Sequence, residues 1–197
     1  LPKSARSPGI SSSTPDNAAV DDRGSVAGLA ELARMRFGHA ALRPMFRLLH
    51  TSDWHLGHTL HGRERRLEHH AFLAWLLDTL VAVRADALLI AGDVFETANP
   101  PASAIQDLGE FLGEARRRLP RLDVVVIAGN HDSAPRLDAL APLLAFGGMR
   151  VVGALPRRAD GSLDGDRLLV PLHDASGATA AWLAAVPFLR VADLPFE

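Results

Sequence analysis

The 197-residue chain has no cysteine, which excludes disulfides and thiolate metal sites and leaves the compartment open. It also lacks an apolar run long enough to cross a bilayer: the longest, Ala71 to Val83, is broken by Asp78. Large net charge is missing too. At a formal −2 there is no bulk positive charge, so any contact with nucleic acid has to be local. The first segment has no apolar core and carries acids beside bases, unlike a secretory signal, and a cytoplasmic protein is the default expectation. What is present suits a soluble globular protein: a hydrophobic fraction of 48% and a charged fraction of 22%. The length allows one sizeable domain, or one domain with an appendage.

Residues 1–44 stand apart from the rest. Leu1 to Gly24 is rich in Ser, Pro, Ala and charge, without a hydrophobic period, and is expected to be disordered. Val26 to Leu42 is expected to form at most a weak, frayed helix. Met45 stands immediately before the first predicted strand, so 1–44 reads as an upstream extension.

From Phe46 onward, continuous apolar strands alternate with amphipathic helices. Strands are predicted at Phe46 to Thr51, Ala87 to Ala91, Val124 to Ala128 and Arg150 to Val152. Helices are predicted from about Glu64 to Arg84, Ser103 to Leu119 and Arg136 to Phe146. The first carries Phe72, Leu76, Leu80 and Val83 on one stripe, with Trp75 counted as core. The second buries Ile105, Leu108, Leu112, Ala115 and Leu119, and Pro120 stops it. The alternation predicts an α/β fold with parallel strands covered on both faces. Arg167 to Leu172 and Ala178 to Val186, set between turn signals, predict an antiparallel pair.

Three successive strands end in metal-compatible groups: Asp53 with His55, then Asp93, then Asn130 with His131. Open α/β sheets place their sites at such strand ends. On extended chain, residues i and i+2 point to one side, so Asp53 and His55 could share an ion. Parallel neighbours then bring Asp93 and Asn130 close to that point. Carboxylate, imidazole and amide oxygen form a mixed donor set that suits Mn2+, Fe2+ or Zn2+. A carboxylate between two ions about 3.5–4 Å apart can bridge them, an arrangement that activates water and clamps a phosphodiester. Singly, each residue is an ordinary polar loop group; their recurrence at three strand ends points to a site.

The phrases Asp53-Trp54-His55, Gly92-Asp93 and Gly129-Asn130-His131-Asp132 resemble the first three motifs of the calcineurin-like metallophosphoesterases. Within that superfamily, Leu49 to Gly57, Ala91 to Phe95 and Ala128 to Ser133 resemble the SbcD family of nuclease subunits. The likeness runs from Met45 to the end and includes Val186-Pro187-Phe188-Leu189-Arg190. It implies a four-layer α/β sandwich, of which residues 45–197 would be the N-terminal, incomplete part. It also implies a Mn2+-dependent DNA nuclease of repair, recombination and replication, a double-strand 3′→5′ exonuclease and hairpin-opening endonuclease. Its partners would be an SbcC-like SMC-type ATPase, DNA ends and hairpins, and a second copy of itself in the complex.

By the same resemblance, Asp53 and His55 would hold the first of two divalent ions, Asp93 would bridge and Asn130 would bind the second. His131 would be the general acid or a phosphate contact, and Asp132 would orient the imidazole or the loop. Glu96 stands where close relatives have Asp and reaches one methylene further. The family's remaining ligands, an isolated His and a Gly-His-x-His pair, have no counterpart, and His173 is a poor substitute. Residues 1–197 are therefore expected to bind Mn2+ weakly and to show little nuclease activity. His58, His61 and Arg63 are candidate DNA contacts; with His69 and His70 they could equally be solvated helix-start residues. Arg116, Arg117, Arg118 and Arg121 could bind phosphate or simply favour the end of a helix dipole. Two alternatives stay open: a generic metallophosphoesterase acting on nucleotides or phosphoproteins, and a non-catalytic interaction module. The Trp54 and Val94-Phe95 phrases argue against the first.

Overall fold

A computed structural model describes residues 45–193; the predicted disordered stretch and frayed helix within 1–44 lie outside the described residues. Strand β1 (Leu48–Thr51) is followed by a small hairpin of β2 (Thr59–Leu60) and β3 (Arg63–Glu64), then by helix α1 (Arg66–Val83). Next come β4 (Ala87–Ala91), α2 (Ala102–Arg118), β5 (Asp123–Ile127), α3 (Ala134–Ala145) and β6 (Met149–Val152). The chain continues into β7 (Leu169–His173) and β8 (Thr179–Ala184). Strands β1, β4, β5 and β6 form one parallel sheet in that spatial order.

The order explains the layers. Because it follows the chain without reversing, right-handed crossovers put all three helices on one face. On that face Leu88, Ile90, Val124, Val126, Met149 and Val151 pack against Leu76 and Leu80 of α1, Leu108 and Leu112 of α2, and Leu137 of α3. The alternate residues Ala87, Val125 and Val152 point the other way, as the pleat requires. They meet Val170, Leu172 and Ala185, from the antiparallel β7–β8 pair and its flank. Both faces are covered, but helices cover only one; the described residues make three layers.

Two predicted faces need correction. Trp75 is 60% exposed, and Ile105 and Val83 are also exposed. The buried set of α1 is His69, Leu73, Leu76, Leu77 and Leu80, a stripe rotated from the predicted one. Apolar residues surround α1, so periodicity alone could not choose its inner face. Of the two histidines expected to be solvated at its start, His70 is exposed and His69 is not. His69 is buried, and burial pushes its imidazole below the ordinary histidine range. His70 Nε2 donates to Asp107 of α2 (3.0 Å). Arg66 reaches the same buried carboxylate through Nε (3.1 Å) and Nη2 (2.8 Å). That fork fastens the start of α1 to α2 and holds Asp107 below the usual carboxylate range.

The β2–β3 hairpin was not predicted. His61 (φ 51°) and Gly62 (φ 77°) are both left-handed, the requirement of a two-residue type I′ turn. The hairpin delays the helix from Glu64 to Arg66.

Candidate metal centre

The centre is assembled at the C-terminal ends of β1, β4 and β5. After β1, the Trp54 ring is buried edge-on against Phe72 (5.8 Å) and Phe111 (5.2 Å), and Nε1 donates to Thr51 Oγ1 (3.0 Å). With the indole fixed in the core, Asp53 and His55 on either side are left facing outward. Strand-like pairing continues beyond the sheet: His55 N–H donates to the Asp93 carbonyl and Leu56 N–H to the Val94 carbonyl, both at 2.9 Å. The expected extended chain is not what brings the side chains together. Asp53, His55 and Asp93 have φ of 58°, 48° and 50°, a left-handed conformation costing about 1–2 kcal/mol per residue. Such strain concentrates where surrounding structure overrides it, as at functional sites.

The result is a tight set of donors. His55 Nε2 lies 3.9 Å from Asp53 Oδ1 and 4.0 Å from Asp93 Oδ2. On the other side of the ring, Nδ1 is 2.9 Å from Glu96 Oε2. That approach is off the hydrogen-bond direction, and Nδ1 is buried with no hydrogen-bond partner among the described residues. The His131 ring stands perpendicular to His55 at 4.8 Å, and its Nδ1 donates to the Glu96 carbonyl (2.8 Å). That bond, helped by nearby carboxylates, raises His131 above the ordinary histidine range. Two donor groups overlap at His55: Asp53–His55–Asp93 and His55–Glu96–His131. Carboxylate oxygens and an imidazole nitrogen at this spacing fit a divalent cation of the Mn2+, Fe2+ or Zn2+ type.

Two glycines and a buried acid hold the loops in place. A Cβ on Gly129 would collide with the carboxylate and amide of Asp93, and one on Gly92 (φ 92°) would sit 2.8 Å from Gly129 Cα. Backbone meets backbone there, and only glycine fits. Asp132 is fully buried; its carboxylate accepts N–H bonds from Gly129 (2.8 Å), Phe95 (3.0 Å) and Val94 (3.2 Å). It thus braces the two loops against each other, while Asp93 Oδ1 accepts the N–H of His131 (2.9 Å).

The family model for calcineurin-like phosphoesterases matches residues 46–178. The chain belongs to that family. The chain is 49% identical over 149 residues to the SbcD subunit of nuclease SbcCD from Rhodobacter capsulatus, covering 76% of this chain and 36% of that protein. It is 38% identical over 148 residues to the SbcD subunit of nuclease SbcCD from Escherichia coli (strain K12), covering 75% and 34%. The Bacillus subtilis protein of the same name is 46% identical over 107 residues. The chain thus spans about a third of the length of the curated relatives it matches.

Other candidate residues fall into two groups. Asn130, in the same turn as His131, is exposed. His58 Nδ1 lies 3.8 Å from Glu96 Oε2, next to the centre, and His61 and Arg63 are exposed on the β2–β3 hairpin. His173 is elsewhere: its Nδ1 donates to Asp123 (3.0 Å) at the first residue of β5, the end away from the centre. The arginine run is occupied. Arg117 and Arg118 pair with Glu114, whose carboxyl they lower to about 2, Arg118 also with Asp78 (2.8 Å), and Arg116 and Arg121 donate to carbonyls. Sequence reasoning assigned no role to Arg190. Its guanidinium donates to the Asp132 carbonyl (3.4 Å), and Phe188 N–H donates to the Ala128 carbonyl (2.8 Å), so this segment returns to the centre. The Val186 to Arg190 phrase was the available signal.

Among the described residues, no helix is long and apolar enough to cross a membrane.

Proposed function

We propose that the chain carries part of the phosphodiester-cleaving centre of an SbcD-like DNA nuclease, residues 1–197 by themselves having little nuclease activity. The observation behind this reading is the convergence of Asp53 and Asp93 on His55, each within 4.0 Å of its Nε2, with His131 beside them. Two divalent ions, Mn2+ foremost, would supply Lewis acidity and a water of lowered pKa. Asp53 and His55 would hold one ion, Asn130 the other, and Asp93 would lie between them. The Glu96 carboxylate, 2.9 Å from His55 Nδ1, would favour a proton on that nitrogen, leaving Nε2, which faces Asp53 and Asp93, for the cation. Asp132 would keep the two loops in register. His131 has Nδ1–H committed to the Glu96 carbonyl, which leaves Nε2 to protonate the leaving 3′ oxygen or hold the phosphate.

His58, beside the centre, and His61 and Arg63, on the β2–β3 hairpin, would contact the DNA backbone. The similarity to SbcD subunits of nuclease SbcCD over three quarters of the chain favours DNA over nucleotides or phosphoproteins. On this reading the whole protein is cytoplasmic and combines double-strand 3′→5′ exonuclease with hairpin-opening endonuclease activity in DNA repair, recombination and replication. It works with an SbcC-like SMC-type ATPase and a second copy of itself. Leu67 and Trp75, exposed on the outside of α1, offer apolar surface to such partners.

The test is binding of end-labelled duplex and hairpin DNA to the purified chain in Mn2+, with thymidine monophosphate as competitor. DNA bound only with Mn2+, and released by chelation, is expected. Displacement of the DNA by thymidine monophosphate at equal concentration would instead mark a generic phosphoesterase.

A further inference from the structure

A cavity of about 250 Å3 lies between the β2–β3 hairpin, the first turn of α1 and the start of α2. It is smaller than the roughly 300–1,000 Å3 pockets that take drug-sized ligands, and suits a single small ring system. His58, Thr59, Glu64, Arg66, His69 and Ser103 contribute to its wall.

Three features define what it can hold. His69 is 9% exposed and forms part of the cavity wall. Burial favours the neutral imidazole, which offers one donor and one acceptor. Helix α2 starts at Pro101 without a side-chain cap; Ala104 and Ile105 bond back to the Pro101 carbonyl, and the N–H of Ser103 precedes the first intrahelical bonds. The charge is not that of an anion site: Arg66 is taken up by Asp107 at 2.8 Å, and Glu64 remains. A phosphate would face an unpaired carboxylate, whereas a neutral ring with polar edges would meet donors and acceptors.

The cavity adjoins the centre. His58 forms part of its wall and lies 3.8 Å from Glu96, which lies 2.9 Å from His55. We propose that this cavity receives one unpaired nucleobase of the DNA strand whose phosphate lies at the metal centre. This rests on the nuclease reading above. Enzymes that do chemistry on a base read it, once unstacked, by hydrogen bonds in a closely fitting pocket, and a base that is already unpaired enters such a pocket at the least cost.

Hairpin DNA carrying one unpaired 2-aminopurine beside the stem, and the same DNA with an abasic site there, are bound to the full chain in Mn2+. The base-bearing DNA is expected to bind about tenfold tighter, the size of one base contact, with a change in 2-aminopurine emission. Ser103→Phe and Ser103→Trp, at a partly exposed position, fill the cavity; each should abolish that preference and leave affinity for fully paired duplex unchanged. Equal affinity for the base-bearing and abasic DNA overturns the proposal, as does a preference that survives both substitutions. Failure to bind any DNA overturns the nuclease reading, and the cavity's assignment with it.

Discussion

The carboxylate of Asp132 faces three backbone N–H groups and no solvent. Truncation to alanine would leave those donors buried and unpaired, at about 1–3 kcal/mol for each group stranded. Asp132→Ala is therefore expected to lower stability by at least about 3 kcal/mol, read as a reduced urea midpoint with unchanged slope. A loss under about 1 kcal/mol would mean the loops do not depend on this brace. Gly129→Ala acts on the same joint from the other side. Its methyl would displace Asp93, so divalent-ion affinity should fall at least tenfold even where the fold survives, which calorimetric titration would measure. At this scale much was legible: Asp53, His55, Asp93 and His131 were picked out by their places after strands, and all lie at one edge. What could not be read was how they converge. Side-chain alternation carries no information on the sign of φ, and all three of Asp53, His55 and Asp93 are left-handed. Nor could the link from His131 to the Glu96 carbonyl be anticipated, since it is made by backbone.

At the scale of the elements, α1 and α2 are joined through one buried carboxylate. Asp107 is held below its unfolded value by Arg66 and His70. A carboxylate depressed in the folded state stabilises fully above its unfolded pKa and loses that contribution as pH falls through its folded value. Chemical denaturation from about pH 7 down to about pH 2 should thus show stability falling below about pH 4. In Asp107→Asn that part of the acid limb should flatten and stability at neutral pH should drop; an unchanged acid limb would remove the fork from the account. Trp54→Ala tests the wedge that sets Asp53 and His55 facing outward. The lost packing against Phe72 and Phe111 should cost about 3–5 kcal/mol, measurable by thermal unfolding. Element positions were largely legible, because apolar strands and helical periods are local signals: β4 matches its predicted bounds residue for residue. The face of α1, the burial of His69 and the pairing of His70 with Asp107 were not. Both depend on Asp107 and other partners some forty residues away.

At the scale of the whole molecule, a sheet wound in one direction leaves its second face to the β7–β8 pair, and the chain then returns to the centre through Phe188 and Arg190. Alternation of strands and helices announced a parallel sheet, but strand order decides which face the helices cover, and order is not a local property. The metal centre remains the claim on which the functional reading depends. Its most direct test is Mn2+ titration of the full chain by electron paramagnetic resonance, which reads free Mn2+ without requiring turnover, with Asp93→Asn in parallel. Saturable binding by the native chain, weakened at least tenfold by Asp93→Asn, is the expected result. Equal binding by both chains, or none by the native one, would contradict a centre built on Asp53, His55 and Asp93.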